Sequence, residues 1–110
     1  MALNLNVYRN MHYQSLNKAK VNFKEHMAEQ IELIPLINKC SARYVLYVGS
    51  KRLCDIANVC SVVDKFFMDA LVEMGKLPDD NYEHLIKVEY SFGGYDKSNP
   101  RVEIYLEEIT

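Results

Sequence analysis

The sequence predicts a single α/β domain with element order β-α-β-α-β-β, a mixed sheet packed with two helices. Three observations point there. The apolar fraction is 49% of 110 residues, apolar residues recur at helical spacing between positions 59 and 74, and runs of strand character lie on both sides of that stretch. A chain of this length buries about two-thirds of its unfolded surface, enough for a core without disulfides or structural zinc. Only 4 Gly and 3 Pro occur, which argues against disorder and low-complexity linkers. The whole of 1–110 is therefore read as one domain.

Leu3-Asn4-Leu5-Asn6-Val7-Tyr8 alternates apolar and polar residues, the period of a half-buried strand. From about Ser15 a helical pattern sets Leu16, Phe23, Met27 and Ile31 near one face, with Lys18, Lys20, Lys24 and Glu25 largely elsewhere. Pro35 ends or kinks that helix. Ser41 to Gly49 is rich in aromatic and β-branched residues and reads as the second strand, stopped by Gly49-Ser50-Lys51.

Val59, Val62, Val63, Phe66, Phe67, Ala70, Leu71 and Met74 make one broad stripe and predict a second helix over about 59–74. Asn58 is the expected N-cap, and Gly75 with Pro78 the stop. Its other side carries Asn58, Ser61, Asp64, Lys65, Met68 and Asp69. His84 to Phe92 and Arg101 to Ile109 are the last strands. Gly93-Gly94 and Ser98-Asn99-Pro100 bracket their connection, which reads as an antiparallel hairpin with a long loop. The helix between the first two strands permits parallel crossover pairing of those strands.

Apolar runs are a few residues long, far short of the ~20 that span a bilayer. The first residues do not read as a secretory leader, so a cytoplasmic location is expected. Cys40, Cys54 and Cys60 include no C-x-x-C pair and are expected to be buried free thiols. The formal net charge is −2, but residues 1–52 carry eight Lys/Arg against three Glu, and residues 53–110 five against twelve acids. A basic half suits a polyanion and an acidic half suits cations. Glycine-rich nucleotide loops, the nucleophile elbow and the zinc-protease helix motif are all missing.

The chemistry-bearing set flanks the second helix. Asp55 follows the basic Lys51-Arg52 pair, Asp64 lies beside Lys65, and Asp79-Asp80 sit in the turn beyond Gly75. Carboxylates suit Mg²⁺, which takes one or two of them plus phosphate oxygens and water. A metal so held lowers the pKa of bound water and neutralises charge building on a phosphodiester, and a nearby lysine steadies that charge. The helix is about 24 Å long, so Asp55 and Asp80 meet only if the chain beyond Gly75 folds back along it. The plainer alternative makes Asp55 a helix cap and Pro78-Asp79-Asp80-Asn81 a turn.

Arg52-Leu53-Cys54-Asp55-Ile56-Ala57-Asn58, Asp64-Lys65-Phe66-Phe67-Met68-Asp69-Ala70-Leu71 and Gly75-Lys76-Leu77-Pro78-Asp79-Asp80 together resemble the RusA family of phage-type Holliday-junction resolvases. That family's signature is D-x-D-N, a helix lysine, D-A-L, a glycine and a D-D pair. The resemblance covers residues 51–82, with weaker support from Tyr8-Arg9-Asn10 and Tyr13. It implies a homodimeric α/β endonuclease that uses Mg²⁺ or Mn²⁺ to nick four-way DNA junctions during recombination, repair or replication, phage-encoded and working in a bacterial cell. It implies Asp55 and Asp80 as metal ligands, Lys65 as the helper lysine, and Asn58 and Asp79 as supporting residues. Ala57 stands where the family has its second aspartate, and about four extra residues precede Lys65. Asp64 is our candidate to restore the missing carboxylate from that added turn.

Contacts to branched DNA are expected from Arg9, Lys18, Lys20, Lys24, Lys51 and Arg52, with Tyr13 or His12 stacking on bases. Two alternatives stand beside this reading. One is a non-catalytic binder of branched DNA or of a partner on the same fold, which Ala57 favours. The other is an interaction module using Tyr44, Tyr47, Tyr90 and Tyr95 on an exposed apolar sheet face.

Overall fold

The computed structural model describes residues 2–5 and 16–110, with side chains from Phe23 onward. Its elements are β1 (Ala2–Leu5), α1 (Leu16–Glu32), β2 (Cys40–Val48), α2 (Ile56–Glu73), β3 (Leu85–Tyr95) and β4 (Arg101–Glu108). The expected α/β class and element order are both present, in a four-stranded mixed sheet of order β1-β4-β2-β3. Asn6 to Tyr8 of the expected first strand lie outside the described residues. Among the described residues no helix is long and apolar enough to cross a membrane.

Strand β2 is central because it is apolar on both faces: Ala42, Tyr44, Leu46 and Val48 point to the helices, and Val45 is buried on the other side. It pairs parallel with β3 and antiparallel with β4. This corrects the expected hairpin, because β3 and β4 are separated by β2 rather than paired. It also corrects the first crossover, because β4 sits between β1 and β2. Residues 96–100 step across two strand spacings, about 9.5 Å, over the end of β2. Asp96 N–H donates to the Val48 carbonyl at 2.8 Å, and Pro100 packs so close to Gly49 that a Cβ there would stand 2.5 Å from Pro100 Cγ. Gly93-Gly94 do not form the loop. They lie within β3, where the register to β2 shifts between Leu46 and Tyr47.

Helix α1 buries Phe23, Met27 and Ile31 as expected, and Phe23 meets Phe66 of α2 edge-on at 5.9 Å between ring centroids. Helix α2 begins three residues earlier than expected. Its N-cap is Asp55, not Asn58. Met68, assigned to the polar side, is 2% exposed, so α2 buries more of its circumference than the stripe implied. Its end is a Schellman motif: Lys76 N–H donates to the Leu71 carbonyl at 2.8 Å and Gly75 N–H to Val72 at 3.1 Å, with Gly75 at φ +74°. Cys40 and Cys60 are buried thiols, whereas Cys54 is exposed, a second correction for that region.

Candidate functional site

Strands β2 and β3 run parallel with α2 as their crossover, so their C-terminal ends and the N-terminus of α2 meet at one end of the molecule. In α/β sheets that is where crevices for ligands form. A hollow of about 560 Å³ opens there, lined by Leu46, Val48, Leu53, Ile56, Phe92 and Tyr95 together with Lys51 and Arg52. Asp55 stands on its lip between the lining residues Cys54 and Ile56. Although Asp55 occupies the N-cap position, its side chain makes no capping hydrogen bond. Its carboxylate is exposed and, among the described residues, accepts only a long contact, 3.4 Å, from Asn58 Nδ2. Lys51 and Arg52 are exposed beside it, so a carboxylate, two cations and a helix N-terminus share one edge.

Asp80 lies at the opposite end. Helix α2 spans eighteen residues, about 27 Å, and the Asp79-Asp80 turn stays at its C-terminal end, because the chain runs back along the helix only from Leu85, in β3. Lys76 O accepts from Ile37 N–H at 2.8 Å and His84 O from Cys40 N–H at 2.8 Å, tying both sides of the turn to the start of β2. The two aspartates in that turn have different jobs. Asp79 builds it, accepting from Asp80 N–H at 2.8 Å and from Asn81 Nδ2 at 3.1 Å. The Asp80 carboxylate takes no part in these bonds and is exposed.

Asp64 faces inward, two and a half turns along α2 from Asp55. Its Oδ1 accepts from the Tyr44 hydroxyl and its Oδ2 from the Tyr90 hydroxyl, each at 2.8 Å. The two rings meet edge-on at 5.8 Å between centroids. Burial, then the Asp64 carboxylate, raise both phenols above their ordinary value. Burial, then Asp64, also push the Cys60 thiol up to about 11. Tyr44 and Tyr90 thus belong to a polar lock between sheet and helix, not to an interaction face. The sheet's open side is charged instead, with Arg101 over the Tyr47 ring at 4.0 Å and Arg43 over Tyr105 at 4.2 Å. Arg101 also bonds Asp96 and Glu103, each at 2.9 Å.

Among the described residues, no three His, Cys, Asp or Glu side chains come together as a metal site. The expected trio of Asp55, Asp64 and Asp80 is therefore not assembled within one chain. Lys65 is exposed on α2 next to Asp64. Of the expected DNA contacts, Lys51 and Arg52 border the hollow, and Lys24 pairs with Glu73 at 2.8 Å. Arg9, His12 and Tyr13 lie outside the described residues, as do the side chains of Lys18 and Lys20. Sequence reasoning missed the Tyr44–Asp64–Tyr90 lock. Its only sequence signal was an acid on an otherwise well-filled helix, with tyrosines in two strands. No protein-family model matches the chain, and no curated protein matches it.

Proposed function

We propose that the chain is a Mg²⁺- or Mn²⁺-dependent endodeoxyribonuclease that cuts four-way or otherwise branched DNA, working as a homodimer in recombination, repair or replication. The observation that carries this reading is Asp55. Its carboxylate is not used as a cap, and it sits beside Lys51 and Arg52 on the lip of a hollow at the C-terminal ends of parallel strands. A phosphodiester needs cations for its charge and a carboxylate for the metal, and this edge offers both. The residue pattern over 51–82 supports the same reading by its resemblance to junction resolvases. Asp80 is its second ligand, with Asn58 and Asp79 in support; the resemblance also gives Lys65 as the helper lysine, which stands ten residues, about 15 Å, along α2 from Asp55. The three carboxylates of one chain do not fit a shared metal, so a site using Asp55 and Asp80 takes them from two copies.

A second reading, a binder of branched DNA without cleavage, is favoured by one observation: both Asp64 oxygens are held by tyrosines, so that residue does not stand in for the aspartate replaced by Ala57. Incubating a four-way junction with the full chain separates the two. Binding with metal-dependent nicks supports the nuclease, and binding without nicks supports the binder.

A further inference from the structure

We infer that two copies of this chain pair through β3, antiparallel and centred on Val88, joining their sheets into one. Strand β3 is eleven residues long, stands at the sheet edge and contains no proline. Among the described residues nothing pairs with its outer edge. Lone proteins blunt such edges with short strands, prolines, covering loops, bulges or lysines; of these β3 has a register shift near its end, and Lys87, whose charge Glu89 matches. Here the helix-side residues of the paired stretch are also uncovered: Ile86 is 47% exposed and Val88 39%. Pairing with a second copy both satisfies the edge and closes the apolar strip.

Charge selects the register. A two-fold axis perpendicular to the sheet sets residues of the same face opposite each other. Centred on Lys87 it opposes two lysines, and centred on Glu89 it opposes two glutamates. Centred on Val88 it sets each Lys87 opposite the partner's Glu89. Within one chain these two already form an ion pair at 2.8 Å on the open face, so the dimer would close a square of alternating charge. Opposite charges across a strand pair stabilise it and like charges destabilise it.

This register has a consequence for the proposed nuclease site, and that consequence alone rests on the nuclease reading. Strand pairing runs from Leu85 to Ser91, so the partner's turn before Leu85 follows at the end of β3 that carries Phe92 and Tyr95, lining residues of the hollow beside Asp55. The partner's Asp80 then stands at the sheet end that holds Asp55, although the two are at opposite ends of one chain.

The test is sedimentation equilibrium on the full chain, with circular dichroism to check folding. The wild type should be a dimer. Lys87→Glu sets like charges opposite each other twice per dimer and should weaken association at least about tenfold. Lys87→Glu with Glu89→Lys restores unlike pairs and should return it to near the wild-type value. A wild type that is monomeric throughout its soluble range would overturn the inference, and so would a double variant as weak as the single one. Mass is read independently of cleavage. A dimer that never nicks DNA would count against the nuclease alone, and a monomer that nicks would count against the interface alone.

Discussion

The Tyr44 hydroxyl, on a side chain with no exposed surface, donates to the Asp64 carboxylate at 2.8 Å. This bond ties the central strand to α2, and it makes Asp64 a structural residue. Asp64→Ala leaves a buried hydroxyl unpaired and should cost about 3 kcal/mol of stability, with Tyr44→Phe about 2 kcal/mol. Guanidinium denaturation measures both. An Asp64→Ala protein as stable as the wild type would show that the lock does not stabilise the fold. Asp64→Asn keeps an acceptor for one hydroxyl and a donor for the other, so it should fold and cleave if Asp64 holds no metal.

Stability should also fall in alkali. The Tyr44 and Tyr90 phenols and the Cys60 thiol all lie above their ordinary values in the fold, by burial first and by Asp64 next. Groups raised in this way favour the fold fully below their unfolded values, about 8.5 for Cys and about 10 for Tyr. That contribution is lost as pH rises through the folded values. Denaturation midpoints measured from about pH 8 to about pH 11 should decline, and Tyr44→Phe should flatten the decline. A midpoint that stays level over this range would contradict the assignment.

Binding to a DNA junction should depend on salt through the basic edge beside Asp55. Lys51→Ala and Arg52→Ala should each reduce the slope of log affinity against log salt by about 1 if each contacts one phosphate. Lys24→Ala should do less, since Lys24 is held by Glu73. Filter binding or anisotropy over a salt series gives the slopes, and unchanged slopes in both edge variants would move the interface elsewhere.

Asp55→Asn and Asp80→Asn should each abolish cleavage while leaving junction binding and stability close to wild type, because both carboxylates are exposed and neither supports the fold. Mixing the two variants is more telling. If the site is shared between copies, a heterodimer of Asp55→Asn and Asp80→Asn chains has one intact site and one doubly damaged site. Nicking of a single strand in the mixture, read on a denaturing gel, is the expected outcome. No activity in the mixture would place both ligands on the same chain or outside the site.

Much of the fold was legible in the residues, because both helices carry broad apolar stripes and the strands carry β-branched runs. The pairing order was misread by trusting chain adjacency for β3 and β4. The contrary signal was present: Tyr44-Val45-Leu46-Tyr47-Val48 is apolar on both faces and so belongs in the middle, whereas Lys87 and Glu89 mark β3 as an edge. The start of α2 was missed because its first turn, Ile56-Ala57-Asn58, shows little of the stripe. The candidate site was legible only as a set of residue types. Distance along α2, and the anchoring of the Asp79-Asp80 turn to β2, decide which of them can meet, and a linear pattern does not carry that information.

Cleavage of a synthetic four-way junction, against linear duplex of the same sequence, in Mg²⁺, in Mn²⁺ and in EDTA, decides whether the chain is a junction-cutting nuclease. Paired nicks in the junction only are expected, present with either metal and lost in EDTA. Tight junction binding with no nicks in either metal would contradict the nuclease reading, and would leave a branched-DNA binder built on the same fold.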